Sequence, residues 1–177
     1  MTRPLFGSGS ARAFLARWRV SLGFVFAAVM LWLAAPTRDS FLIGSVVATL
    51  GEWLRIWAAG HLEKSKEVTR SGPYRFTRHP LYLGSSLIGV GFAVIANNFA
   101  SALLVIAYLG LTLTAAMRSE EAHLREKFGD AYDAYAARRS QPMKRTFSWA
   151  RALRNREHHT IAGLAAGLIA MWLKISA

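Results

Sequence analysis

The chain has 177 residues, 53% of them hydrophobic, with no cysteine and a formal net charge of +12. The length predicts one domain, 1–177, and the missing cysteine excludes disulfides, thiolate metal sites and a cysteine nucleophile. A soluble nucleic-acid-binding protein would interleave its charges with short apolar elements. Here the charges lie between long apolar blocks, which predicts a membrane protein with basic loops and no nucleic-acid partner.

Five apolar segments predict an all-α polytopic membrane fold with about five transmembrane helices: 20–35, 41 to about 60, 81–96, 99–117 and 161–173. The first follows a basic lead but lacks a small-residue cleavage site, so it is interpreted as a retained span. Ser40 is the predicted N-cap of the second. The third and fourth are separated only by Asn97-Asn98, which predicts a helical hairpin. The last is predicted either to span the bilayer or to lie in the interface.

The loops differ in positive charge. Four Lys or Arg residues lie in 1–19, five in 61–79 and ten in 118–156, against one in 36–40 and none in the Asn97-Asn98 turn. By the positive-inside rule, the N-terminus and the three basic segments are predicted to be cytoplasmic. We expect a bacterial inner membrane, with the C-terminus outside if all five segments span.

Residues 118–139 are polar but carry an apolar stripe at helical spacing, formed by Leu124, Phe128, Ala131, Tyr132 and Tyr135. The stripe predicts an amphipathic cytoplasmic helix that lies on the protein or on lipid headgroups. Gly129 is predicted to weaken its middle.

The stretch 71–84 joins a basic loop to the third apolar helix. Gly72-Pro73 predicts a turn, and Pro80 disfavours helical geometry at His79 while suiting the first turn of the next helix. A helix N-terminus offers unpaired N–H groups and partial positive charge to a carboxylate or phosphate. The side chains predicted to gather there are those of Tyr74, Arg78, His79 and Tyr82. The alternative is a plain membrane-surface loop with interfacial tyrosines.

Two pairs of charged residues are predicted to share this cytoplasmic cavity. Glu120 and Glu121 follow the fourth apolar helix, and the hairpin brings them to the start of the third. Glu52 and Arg55 lie three residues apart in the second helix, so they can neutralise each other. Intramembrane charges usually face a polar pathway, however, and these two are predicted to border the same cavity.

The order of these motifs resembles the isoprenylcysteine carboxyl methyltransferase and phospholipid methyltransferase superfamily over about 44–142, leaving 143–177 as an extension. The motifs are Gly51-Glu52-x-x-Arg55, Ser71-Gly72-x-Tyr74, Arg78-His79-Pro80-x-Tyr82-x-Gly84, Glu120-Glu121-x-x-Leu124, Phe128-Gly129 and Tyr132-x-x-Tyr135. The resemblance implies an integral membrane methyltransferase that holds S-adenosylmethionine on the cytoplasmic side. Such a methyl transfer needs no covalent enzyme intermediate, and the protein mainly aligns donor and acceptor.

The resemblance also implies the site residues. The cofactor-binding set is Lys64, Tyr74, His79, Pro80, Leu81, Tyr82, Gly84 and one of Glu120 and Glu121. A glutamate suits the cofactor's ammonium group. Because Glu121 can instead pair with Arg125 four residues on, Glu120 is preferred. The predicted substrate-side residues are Glu52, Arg55 and Arg78.

The acceptor stays open: a prenylcysteine-like carboxylate, a phospholipid amine or another small lipid group. Carboxyl-methylating members are expected to carry an arginine one turn before the glutamate pair, where this chain has Ala116. The alternative functions are an NADPH-dependent membrane reductase of sterol-reductase-like fold and a non-catalytic membrane scaffold.

The extension 143–177 adds three expectations. Its arginines, Arg151, Arg154 and Arg156, are predicted to meet anionic lipid headgroups. Gly163-x-x-x-Gly167 is compatible with a homodimer. His158-His159 has no further ligands nearby, so no metal site is predicted.

Overall fold

The computed structural model describes residue 23 and residues 25–176, and within this part the protein is all-α. The helices are α1 (25–33), α2 (Arg38–His61), α3 (Pro80–Ala96), α4 (Phe99–Phe128), α5 (Asp130–Ala136), α6 (Trp149–Arg154) and α7 (Glu157–Ser176), with a 3₁₀ helix at Gly72–Arg75. By length and apolar composition α2, α4 and α7 can each cross a bilayer, and α3 is a shorter apolar helix. The predicted polytopic membrane fold is confirmed. The start of the predicted first span lies outside the described residues.

The start of α2 corrects one prediction. Thr37, not Ser40, is the N-cap: its hydroxyl accepts a hydrogen bond from the Ser40 N–H at 3.1 Å. The Ser40 hydroxyl in turn accepts from the Thr37 N–H at 2.9 Å, which completes a capping box. The helix therefore begins two residues before Ser40.

The hairpin between α3 and α4 is confirmed. Asn97 takes the left-handed conformation that ends α3, with a φ of 45°. Asn98 then caps α4, because its side chain accepts a hydrogen bond from the Ser101 N–H at 3.1 Å.

The end of α4 differs from the prediction. No break occurs at residue 118, and the helix continues through the glutamates to Phe128. Gly129, with a φ of +48°, ends it and starts the short α5. The predicted amphipathic helix 118–139 is therefore the polar end of α4 followed by α5.

Glycines allow α2 and α3 to cross at close range. A Cβ atom added at Gly91 would lie 2.6 Å from the carbonyl oxygen of Gly44, and one at Gly84 would lie 2.7 Å from that of Gly51. Real Cβ atoms do not approach a backbone oxygen so closely, so these positions need glycine. The close crossing places Arg55 of α2 directly beside the first turns of α3.

We expect the substitution Gly91→Ala to destabilise the protein by about 1–3 kcal/mol, because the added methyl group must push the two backbones apart. The control is Gly110→Ala in α4, where an added Cβ meets no atom within 4 Å. That change should be neutral or slightly stabilising, since alanine favours helix. Thermal unfolding in detergent measures both, and equal stability of the two variants would contradict the close crossing.

The segment before α7 closes the end of α2. The carbonyl groups of a helix's last turn have no intrahelical partner. Here Arg151 Nε donates to the Gly60 oxygen at 2.8 Å, and Asn155 Nδ2 donates to the Ala59 and Leu62 oxygens at 2.9 Å each. The positive charge of Arg151 also suits the negative end of the α2 dipole.

The three arginines of the extension differ in their contacts. Arg151 bonds to the protein backbone, and Arg154 pairs with Glu63 at 2.9 Å. Their contact with lipid headgroups stays a prediction. Arg156 is exposed. In the glycine motif, Gly167 packs against Phe92 of the same chain and Gly163 faces open space. The homodimer stays a prediction.

Candidate active site

The first turn of α3 is the centre of the candidate site. His79 precedes it with a φ of −129° and a ψ of 54°, and Pro80 occupies the first helical position. Proline suits this position because it lacks the N–H that would otherwise have no acceptor. The predicted non-helical His79 and helix start at Pro80 are confirmed.

Arg78, His79 and Glu121 form a charged cluster at this helix end, hereafter the α3-end cluster. His79 Nε2 lies 2.7 Å from Glu121 Oε1, and an Arg78 guanidinium nitrogen lies 3.2 Å from the same oxygen. The alternative pairing of Glu121 with Arg125 does not form, since Arg125 Nε binds Asp133 Oδ1 at 2.8 Å. The hairpin thus brings a glutamate to His79, as predicted, and that residue is Glu121.

Tyr74 lies on the inner side of the same end of the bundle. It is buried, and the Tyr135 hydroxyl donates to its backbone oxygen at 2.8 Å, which ties α5 to the loop. Burial raises the pKa of the Tyr74 phenol, and the nearby negative charges of Glu120 and Glu157 raise it further. The phenol is therefore neutral and can donate a hydrogen bond. Half-buried Glu120 is near enough to Tyr74 for its charge to act on the phenol, whereas Glu121 pairs with His79.

A small cavity opens beside this loop. Its volume is about 170 Å³, and its lining residues include Tyr74, Thr77, Arg78 and Tyr135. Two of its walls, the loop and α5, are the elements that the Tyr135 hydrogen bond joins.

Arg55 is the centre of a second group, hereafter the Arg55 cluster. Its Nε binds Glu157 Oε1 at 2.6 Å, and its other nitrogens donate to the Leu81 carbonyl at 3.3 Å, the Ser85 hydroxyl at 2.5 Å and the Thr160 hydroxyl at 3.1 Å. Glu52 lies 4.0 Å away. The cluster joins α2, α3 and α7, and the Leu81 contact brings it to the first turn of α3.

The remaining predicted residues lie in three different surroundings. Lys64 is exposed in the turn after α2, away from the buried groups. Gly84 contacts the backbone of Gly51 and the Arg55 side chain, which is a packing position between helices. The Tyr82 ring lies 5.7 Å from that of His79, centre to centre. All three stay predicted cofactor residues.

Glu157 and Thr160 are the site residues that the sequence prediction missed. They lie 102 and 105 residues from Arg55, in a segment interpreted only as an apolar helix with basic flanks. One signal was present: Glu157 is the only acidic residue after Asp133, and it stands where the last apolar helix begins. A single carboxylate among many cations at a membrane boundary indicates a specific partner.

Comparisons with known proteins point to one family. A family model described as phospholipid methyltransferase matches residues 18–131. The chain is 30% identical over 131 residues to the nickel-cobalt-cadmium resistance protein NccN of Alcaligenes xylosoxydans xylosoxydans, covering 68% of this chain and 60% of that protein. It is also 30% identical over 132 residues to the cobalt-zinc-cadmium resistance protein CzcN of Cupriavidus metallidurans, covering 68% and 59%.

A further relative carries an enzyme name. The protein-S-isoprenylcysteine O-methyltransferase of Schizosaccharomyces pombe is 30% identical over 95 residues, 54% of this chain and 40% of that enzyme. The chain thus spans about three fifths or less of the length of these relatives. No solved structure matches significantly.

In residues 25–176, no three His, Asp or Glu side chains gather as a metal site would require.

Proposed function

Because the chain belongs to the phospholipid methyltransferase family, we propose that it transfers a methyl group from S-adenosylmethionine to a lipophilic or amphiphilic acceptor at the cytoplasmic membrane face. The observation that carries the proposal is the α3-end cluster, where His79 and Arg78 meet Glu121 at a helix N-terminus. Both the family and the methyltransferase relative support the reaction type.

The residues at this end match the groups of S-adenosylmethionine. The carboxylate suits the α3 N-terminus with Arg78 beside it. The ammonium suits Glu120, whose carboxylate is not engaged by the His79 pair. The rings of Tyr74 and Tyr82 suit the adenine or the sulfonium. When bound, the cofactor supplies an electrophilic methyl group on its sulfonium.

The protein's part in the reaction is to orient the methyl donor and the acceptor and to exclude water. Glu121 holds His79 and Arg78 at the helix end, and the Tyr135 hydrogen bond holds the loop that carries Tyr74. The exposed apolar faces of α2 and α4 allow an acceptor to arrive from the bilayer. Aligning two reactants in this way supplies much of the catalysis that a direct displacement needs.

The proposed location is a bacterial inner membrane with the site facing the cytoplasm. The basic residues of 61–79 and 118–156 lie at the end of the bundle that carries the candidate site, and the uncharged Asn97-Asn98 turn lies at the other. This distribution supports the orientation by the positive-inside rule.

The test is calorimetric titration of the purified protein with S-adenosylmethionine, S-adenosylhomocysteine and NADPH. We expect the first two to bind and NADPH not to bind. Binding of NADPH alone would favour the reductase, and binding of none by folded protein would favour a scaffold. The names of the two resistance proteins state no reaction.

A further inference from the structure

The guanidinium group of Arg55 is occupied by the protein itself. Of its five N–H donors, one meets Glu157, two meet the Leu81 carbonyl and the Ser85 hydroxyl, and one meets Thr160. An arginine that recognises a substrate carboxylate presents two free, parallel donors. Arg55 does not, so it is ill suited to hold a carboxylate acceptor.

Glu52 is in the opposite situation. Only 5% of its surface is exposed, and neither carboxylate oxygen has a hydrogen-bond partner among the described residues. The Arg55 Nε lies 4.0 Å away, beyond hydrogen-bonding distance. A buried carboxylate without donors is costly, and a catalytic role, a water or an ion is the usual explanation for such a group in a native structure.

The charges of the Arg55 cluster do not balance. Glu52 and Glu157 are two carboxylates, each about 95% buried, and Arg55 is the one guanidinium between them. A second anion would raise the electrostatic cost, whereas a cation or a strong hydrogen-bond donor would lower it. The cluster is therefore complementary to an amine and not to a carboxylate.

The Arg55 cluster is also close to the proposed cofactor site. Arg55 bonds to the carbonyl of Leu81, two residues after His79, so the two clusters flank one turn of α3. The charges of Glu157 and Glu120 act on the same Tyr74 phenol. An acceptor beside Glu52 would therefore lie near a methyl donor held at the α3 end.

We propose that Glu157 is a specificity-determining residue, which occupies Arg55 and so leaves Glu52 to receive an amine and to disfavour a carboxylate. This inference rests on the proposed function. In the step, the bound ammonium would first give a proton to the Glu52 carboxylate, which frees the nitrogen lone pair. The lone pair would then form the N–C bond while the C–S bond breaks with its electrons going to sulfur. The products are a neutral sulfide, the methylated ammonium and protonated Glu52.

The test compares two acceptors of equal chain length, a long-chain alkylamine and the matching alkyl carboxylic acid, with labelled S-adenosylmethionine and the full chain in detergent. The wild type should methylate the amine in preference. The variant Glu52→Gln should lose amine methylation by about 100-fold or more, the usual effect of a general base. The variant Glu157→Gln gives Arg55 a weaker partner and removes one negative charge. It should lower the ratio of amine to carboxylic-acid methylation by at least about tenfold. Glu126→Gln, at an exposed position of α4, is the matched control and should leave this ratio unchanged.

A second measurement uses binding alone. Without any methyl donor, the alkylamine should raise the thermal unfolding temperature of the wild type more than the carboxylic acid does. Glu52→Gln should abolish that difference and Glu157→Gln should reduce it. If Glu157→Gln does not fold, Thr160→Val removes another Arg55 partner and should shift the preference in the same direction.

The outcomes separate this inference from the proposed function. Failure of the wild type to bind S-adenosylmethionine would refute the proposed reaction. The shift in unfolding temperature with the alkylamine would still test the amine site. A wild type that favours the carboxylic acid, or an amine preference that neither Glu52→Gln nor Glu157→Gln alters, would overturn the inference. A purely structural role of Glu157 would lower stability and leave the preference unchanged.

Discussion

Replacement of His79 by alanine is expected to weaken S-adenosylmethionine binding by roughly 10- to 150-fold. The change removes the 2.7 Å contact that joins the start of α3 to Glu121. A hydrogen bond from His79 to a charged group of the cofactor would contribute about 1.5–3 kcal/mol, and its loss converts to that range of affinity. Glu121 would then pair with Arg78 alone and draw its charge away from the cofactor carboxylate.

The matched control for this prediction is His123→Ala. His123 is an exposed histidine in the same helix as Glu121, two residues further along. Calorimetric titration of both variants, after unfolding curves have shown that they are folded, measures the effect. Equal affinities for the two variants would remove His79 from the cofactor site.

The variant Arg55→Ala is expected to lower the free energy of unfolding by about 3–5 kcal/mol. The substitution leaves the carboxylates of Glu52 and Glu157 in the interior without their common cation. It also removes the hydrogen bonds by which Arg55 of α2 links to Ser85 of α3 and to Thr160 of α7. Breaking a buried ion pair from one side costs more than removing both partners.

A double variant tests that reason. Arg55→Ala combined with Glu157→Gln should be more stable than Arg55→Ala alone, because it holds one buried charge fewer. Arg38→Ala, at the exposed first turn of α2, should change stability by less than about 0.5 kcal/mol. Chemical unfolding in mixed micelles measures all three. An Arg55→Ala variant as stable as Arg38→Ala would show that the cluster is hydrated and not buried.

Much of the fold could be predicted because its signals are local. Asn97-Asn98 is too short for anything but a hairpin, and Pro80 fixes a helix start by its ring alone. The start of α2 could not be predicted in this way. Thr37 and Ser40 are both good N-cap residues, and the choice between them depends on the reciprocal hydrogen bonds that only the folded turn shows. The end of α4 cannot be located from polarity, because a helix can leave a membrane and continue into water without ending.

The site could be predicted only where the hairpin determined it. The proximity of the glutamate pair to His79 follows from the hairpin, but adjacent residues point about 100° apart on a helix. The choice of Glu121 depends on Asp133, which binds Arg125 from the helix that begins after Gly129. Glu157 reaches Arg55 across 102 residues, a distance over which helical spacing carries no information.

The cap on α2 has a consequence for biosynthesis. Arg151 follows Gly60 by 91 residues, so the carbonyl groups at the end of α2 are made long before their partners. At about 5–20 residues per second, the ribosome needs roughly 5 to 18 seconds to deliver the arginine. Until then water must donate the hydrogen bonds to those carbonyl groups. This requirement keeps the end of α2 at the membrane–water boundary during insertion. The interior around Arg55 is accordingly sealed last, when the final helix arrives.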